Sequence, residues 1–205
     1  MRLYDTQMAP NPRIVRIFLA EKGIELPIVP VDLAAGEHKT PEFLAKNPSG
    51  TVPVLELDDG SYLSETVAIC LYFEKLYPKP PLFGNGQDAK EQAFVEMWRR
   101  RIELEIVLPL MHAIRHTHPG FANRVKPQLP DYGAFCRQAT LERLSWLDGV
   151  LQQTPFIAGD IYSIADITLL PWLDFSKVIR LDPFEGRAHL KSWYENVSRR
   201  ESSKS

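Results

Sequence analysis

Two cysteines in 205 residues, Cys70 and Cys136, are too few for a disulfide framework, a zinc cluster or a Cys-x-x-Cys redox pair. Both fall in segments of helical pattern, so thiol chemistry has to draw on a thiol from outside the chain. An excess of either charge is also missing. The 24 Lys and Arg against 26 Asp and Glu leave a net charge of −2, without the basic surface that attracts nucleic acid or an anionic membrane. Long apolar runs are absent. Met1-Arg2-Leu3-Tyr4-Asp5 carries an acid where a signal peptide would place its apolar stretch, and no later run nears the length of a membrane span. These absences predict a cytoplasmic protein with no nucleic-acid and no membrane partner. No repeat or low-complexity tract interrupts the chain, and 44% hydrophobic with 24% charged residues is the composition of a chain folded throughout. Its length allows one large domain or two small ones.

The periodicities divide the chain in two. From Met1 to about Pro78, short strand-like runs alternate with helical patterns: Leu3-Tyr4, a helix ending at Gly23, Ile28-Val29-Pro30-Val31, a loop, Val54-Leu55-Glu56-Leu57, and a last helix from Ser64 to Tyr77. The first helix is amphipathic through Ile14, Ile17, Phe18 and Ala20-Glu21, and Gly23 stands in the favoured position past its C-terminus. Asp58-Asp59-Gly60 between two apolar runs is a hairpin signal, so two strands should meet antiparallel there. Pro78-Lys79-Pro80-Pro81 cannot continue a helix and opens a linker over 79–86. Beyond it strand signals disappear, and 87–205 reads as all-helical, with period-3.6 patterns over Gln87–His116, Tyr132–Gln153, Ile164–Val178 and Ala188–Arg200.

Two short segments suggest chemistry. In Asn47-Pro48-Ser49-Gly50-Thr51-Val52-Pro53-Val54, Pro53 cannot donate to a ladder and so belongs at a strand start or edge. A cis Val52–Pro53 bond would turn the Val52 amide and carbonyl outward to pair with an extended peptide; a trans proline opening the strand is the plainer alternative. In Leu63-Ser64-Glu65-Thr66, a helix start gathers N–H groups for a carboxylate, Thr66 adds a hydroxyl, and Glu65 offers a charge to an ammonium. Simple capping by Ser64, with Glu65 complementing the dipole, reads the same letters without a ligand.

Taken together, Pro12-Arg13-Ile14-Val15-Arg16-Ile17-Phe18-Leu19-Ala20-Glu21-Lys22-Gly23, Val31-Asp32-Leu33 with Gly36-Glu37-His38-Lys39, Asn47-Pro48 to Pro53, and Ser64-Glu65-Thr66 with Ala68-Ile69 resemble the amino-terminal domain of cytosolic glutathione transferases. Gly159-Asp160 with Ser163-Ile164-Ala165-Asp166 is similar to the capping box of that family's helical domain, in which Ser163 and Asp166 bond each other's amides and Tyr162 and Ile167 form a staple. The resemblance spans nearly the whole chain. It implies an α/β thioredoxin-like domain over 1–78, followed by an all-α domain, with glutathione as co-substrate, no metal, and a homodimer. Val52 beside cis Pro53 would pair with the cysteinyl backbone of glutathione, Glu65 and Thr66 would hold its γ-glutamyl end, and His38 and Lys39 would reach its glycine carboxylate. Thr66 stands where the family usually has Ser.

The loop Thr6-Gln7-Met8-Ala9-Pro10-Asn11-Pro12 holds none of the Tyr, Ser or Cys that family members use on the glutathione thiol. Ala9 aligns with the serine of some classes. Asn11 falls where others have Ser or Cys and where bacterial members with a Thr-Pro-Asn loop keep Asn, so Asn11 is the candidate catalytic residue, its amide donating to a thiolate. Equally, Asn11 suits a helix N-cap with Pro12 at the first helical position.

Met8, Ala9, Trp98, Ile102 and Phe175 are candidates for an apolar co-substrate pocket, and aromatic residues at helical spacing are just as often core. His112, His116 and His118 have part of a metal-ligand spacing without the Glu that completes it, which favours a solvated helix end. Arg99-Arg100-Arg101 followed by Glu103 and Glu105 reads as a solvated face. The implied activity is conjugation of glutathione to small hydrophobic electrophiles. The alternatives are reduction of glutathione-linked disulfides or peroxides, and a non-catalytic binding relative of the stringent starvation type.

Overall fold

Alternation of buried side chains builds the first unit. Strands β1 (Arg2–Asp5), β2 (Ile28–Pro30), β3 (Val54–Glu56) and β4 (Tyr62–Ser64) form one sheet in the order β2-β1-β3-β4. β1 runs parallel to β2 and antiparallel to β3, and the Asp58-Asp59-Gly60 turn joins β3 to β4 antiparallel, as its residues predict. Because successive strand residues face opposite sides, the partners Leu3 and Leu55 point one way and the partners Tyr4 and Val54 the other. Helix α1 (Pro10–Glu21) buries Ile14, Val15, Ile17, Phe18 and Leu19, and packs beside α3 (Thr66–Leu76), which buries Ile69, Cys70 and Phe73. Each such side chain contributes about 1.5–3 kcal/mol. On the Tyr4 side, Val31, Val54 and Phe43 of the short α2 (Pro41–Lys46) close a second cluster, against which Val29, Leu33 and Val52 pack.

The computed structural model describes all residues from 1 to 205 and divides into two units, Met1–Pro81 with Glu201–Ser205, and Leu82–Arg200. The last five residues thus group with the first unit, where the sequence pattern places them with the helices. They form a short turn packed on α1. There the Arg13 guanidinium donates to the Ser203 carbonyl at 2.8 Å, and Ser202 Oγ donates to Glu21.

The second unit contains helices only: α4 (Ala89–Arg101), α5 (Leu108–Thr117), α6 (Pro130–Leu151), α7 (Ile164–Phe175) and α8 (Ala188–Ser198). The pattern read as one helix over Gln87–His116 is interrupted by a widened, π-type turn at Ile102–Val107. Pro109, the second residue of α5, has no N–H to return to Glu105, and the wider turn accommodates it. Every residue of α7 from Ile164 to Leu173 is buried, so α7 is the centre of the unit. Its start carries the full capping box. Asp166 accepts from Ser163 N–H (3.0 Å), Ile157 N–H (3.0 Å) and Trp193 Nε1–H (2.8 Å), while Ser163 Oγ accepts from Ala165 N–H (3.3 Å). Burial pushes the Asp166 carboxyl up to about 6 against the pull of these donors.

Candidate functional site

One buried amide organises the loop ahead of β3. Asn47 Nδ2 donates to the Thr51 carbonyl at 2.8 Å and to its Oγ1 at 3.1 Å, and Asn47 Oδ1 accepts from Ser49 Oγ at 2.9 Å. Gly50, at φ +58°, lets the loop fold back on the turn at Glu37–Lys39; a Cβ there would stand 2.8 Å from the His38 carbonyl oxygen. Lys39 Nζ reaches the carbonyls of Gly50 (3.1 Å) and Ser49 (3.3 Å). His38 and Lys39 are thereby held against the loop that leads into Val52, with His38 buried and Lys39 exposed.

The Val52–Pro53 bond is cis, the first of the two readings open from sequence. Pro53 is buried and Val52 half-buried, and the registered ladder begins only at Val54, opposite Tyr4 and Ser64. Because Val54 faces Ser64, the antiparallel register brings Val52–Pro53 and Glu65–Thr66 to the same end of the β3-β4 pair.

Glu65 replaces Ser64 as the residue that begins α3, correcting the simple capping reading. Ser64 is the last residue of β4, and Glu65 is the N-cap at φ +72° and ψ 119°, making no side-chain capping bond. A positive φ in a non-glycine residue costs on the order of 1–3 kcal/mol and clusters at ligand sites. The exposed Glu65 carboxylate and the start of α3 therefore present opposite charges side by side: an anion for an ammonium, and main-chain N–H groups at the positive dipole end for a carboxylate.

In the β1–α1 loop the structure corrects the other capping reading. The N-cap of α1 is Ala9, Pro10 is the first helical residue, and the exposed Asn11 is the second. Pro10 and Pro12 have no N–H, so Asn11 is the only one of the first three helical residues that brings a main-chain donor to the dipole. Ala9 N–H bonds to the Thr6 carbonyl at 3.4 Å, and Met8 is 84% exposed.

The co-substrate candidates of the helical unit differ in burial. Ile102 is fully buried in the widened turn and is a core residue, which corrects its assignment to a pocket wall. Trp98 stacks on Trp146 of α6 at 5.4 Å, with the Arg101 guanidinium 5.0 Å from its ring. Phe175 is half-buried and meets Trp172 edge to face at 6.2 Å.

The histidines and arginines also have local employment. His116 Nδ1 accepts from Leu129 N–H (3.0 Å), His118 Nδ1 accepts from Gly120 N–H (3.1 Å), and His112 Nδ1 lies 2.8 Å from Tyr132 Oη. Burial, then Arg115 and His116, hold His112 below its ordinary pKa. Arg99 is buried and bonds to Glu96 (2.6 Å) and Glu103 (2.8 Å), so the arginine run is not simply a solvated face. Sequence reasoning missed the organising role of Asn47 and the pairing of Asp5 with Arg16. The only hint of that pair was a cation, Arg16, inside an apolar run and an acid, Asp5, at the end of one.

Known proteins with this pattern agree in kind. Residues 9–76 match the family model for the glutathione S-transferase N-terminal domain, and residues 116–201 match the model for its C-terminal domain. The chain is 40% identical to glutathione S-transferase 2 of Saccharomyces cerevisiae over 207 residues, covering 100% of this chain and 88% of that protein. The crystal structure of Gtt2 from Saccharomyces cerevisiae superposes with a TM-score of 0.91 at 40% identity, covering 100% of this chain and 99% of that one. A glutathione S-transferase domain-containing protein of Marinobacter aquaeolei superposes with a TM-score of 0.90 at 37% identity, covering 98% and 99%.

Proposed function

The chain belongs to the glutathione S-transferase family, and from that premise we propose that it conjugates the thiolate of glutathione to small hydrophobic electrophiles. The observation that carries this reading is the corner at the end of β3 and β4, where Val52 beside cis Pro53, the exposed Glu65 and the start of α3 meet. An extended tripeptide fits that chemistry. Its cysteinyl main chain pairs with Val52, its γ-glutamyl ammonium faces Glu65, its γ-glutamyl carboxylate takes the N–H groups and hydroxyl at Thr66, and its glycine carboxylate lies toward Lys39 and His38.

The thiol needs help to ionise. With a pKa of about 8.5 only a few per cent is thiolate at neutral pH, and lowering it by about 2 units corresponds to about 2.7 kcal/mol of preferential stabilisation. Asn11, through its main-chain N–H and its side-chain amide in the first turn of α1, is the donor proposed to supply it. The sulfur lone pair then attacks an electrophilic carbon, a C–S bond forms, and the leaving group departs with its electron pair. The enzyme contributes proximity and a preformed anion site. Met8, Ala9, Trp98 and Phe175 remain the proposed apolar contacts of the co-substrate, the working unit is proposed to be a homodimer, and the proposed location is the cytoplasm.

A second reading keeps glutathione and changes the reaction to reduction of disulfides or peroxides. It is favoured by the absence of Tyr, Ser and Cys from Thr6–Pro12. Purified protein is expected to bind immobilised glutathione and to conjugate an aryl halide. Turnover of peroxide or mixed disulfide without conjugation selects the second reading, and no glutathione uptake by calorimetry leaves the non-catalytic alternative.

A further inference from the structure

Asp5 and Arg16 form an ion pair with more reach than packing requires. Asp5, the last residue of β1, is 2% exposed, and its main-chain carbonyl accepts from Val31 N–H at 2.7 Å, which ties it to β2. Arg16, in the second turn of α1, places one guanidinium nitrogen 2.8 and 2.6 Å from the two Asp5 carboxylate oxygens. The other terminal nitrogen donates to the main-chain carbonyl of Gln7 at 3.2 Å. One rigid fork therefore holds the end of the strand and the middle of the connecting loop from a single point on the helix. Apart from the Ala9-to-Thr6 turn at 3.4 Å, that loop has little else to fix it, and Gln7 and Met8 are exposed.

We propose that the Asp5–Arg16 pair is a positioning device for the thiol site: it fixes the Thr6–Ala9 loop, and through it the orientation of the first turn of α1, where Asn11 presents its donors. The inference rests on the transferase reading above and deepens it. With proline on both sides, Asn11 has no neighbouring N–H to substitute for a misdirected donor. A hydrogen bond to a thiolate weakens steeply once its angle opens. Errors of about 1 Å in such a constellation are costly, so a rigid planar fork suits the task better than a flexible ammonium.

Arg16→Lys tests the idea, because an ammonium can keep the charge beside Asp5 but has no second nitrogen to hold the Gln7 carbonyl at the same time. The glutathione dissociation constant, measured by calorimetry near pH 6, where the bound thiol is largely protonated in either protein, is expected to stay within about twofold, since Val52, Glu65 and Lys39 are untouched. The acid limb of the kcat/KM profile for an aryl halide, taken at saturating glutathione, is expected to move up by about one pH unit, so activity below about pH 6 falls about tenfold and recovers at high pH. A profile superimposable on wild type overturns the proposal, as does a loss of activity matched by equal losses in binding and in folded fraction. If Arg16→Lys does not fold, amide hydrogen exchange on the wild-type protein decides. Slow exchange at Ala9, the loop amide with a main-chain partner, before any ligand is added supports a preset loop, and exchange there at the rate of an open chain overturns it. Wild-type protein that takes up no glutathione overturns the transferase reading itself, and the loop exchange then judges the clamp on its own.

Discussion

Glu65 shows how a single residue can be chosen against its own backbone preference. At φ +72° a glycine would sit with less strain, yet a carboxylate stands there, at the start of α3. Glu65→Gly is expected to leave the fold as stable or up to about 1 kcal/mol more stable, because relief of strain offsets the extra freedom of the unfolded chain. The same change should weaken glutathione binding about tenfold or more, as befits a lost charge-assisted contact. Urea unfolding and calorimetry on one preparation give both numbers. A loss of stability without loss of binding would mean that Glu65 serves the fold. Gly50 is the opposite case. A Cβ placed 2.8 Å from the His38 carbonyl has nowhere to go, so Gly50→Ala should cost about 2 kcal/mol or more and displace Lys39 from the loop. Both residues lay inside motifs visible in the sequence. The positive φ of Glu65 did not, because nothing in a glutamate announces a left-handed backbone.

At the level of elements, the strand and helix order of the first unit was legible because its signals are local: a Gly past α1, an Asp-Asp-Gly turn, and a proline run that ends a helix. The helix starts were less so. Asn11-Pro12 is a good cap and first-turn pair on its own, but Pro10 is equally able to open a helix, and α1 begins there instead, with Ala9 as its cap. The widened turn at Ile102–Val107 escaped the periodicity too, since a π-turn shifts the phase by only one residue. The Ser163–Asp166 box was read correctly, and what the sequence could not show is that Trp193 and Ile157 converge on the same carboxylate. Asp166→Asn leaves some of those donors facing an amide N–H. Its expected cost is about 2–4 kcal/mol at neutral pH, measured by urea unfolding. The carboxyl's folded pKa, about 6, lies above its ordinary value. Its proton is therefore held more tightly in the folded chain. That contribution is full below about pH 4 and is lost as pH rises through 6. The stability gap between wild type and Asp166→Asn should accordingly be wider at pH 4.5 than at pH 7.5, a comparison in which the other carboxylates cancel.

For the whole molecule, the chain's return to its first unit has a consequence that can be measured. Ser202 and Ser203 are buried, and Glu201–Ser205 pack on the same helix that carries Asn11, Arg13 and Arg16. The Arg13-to-Ser203 bond and the Ser202-to-Glu21 bond lie in the first and last turns of that helix, and Arg13 shares the first turn with Asn11. Removing residues 201–205 takes away a hydrogen bond from a charged donor, worth about 1.5–3 kcal/mol, and uncovers part of α1. The expected result is a first unit that unfolds at lower urea, while α7 and its capping box, probed by the buried Trp193, keep their midpoint. Glutathione at about 100 times its dissociation constant should restore about 2.7 kcal/mol to the shortened chain, because a ligand that binds only the folded form stabilises it by mass action. Coincident loss of both units would instead make the tail a part of one cooperative whole. Failure of glutathione to restore the first transition would place its binding energy elsewhere than in the unit that the tail completes.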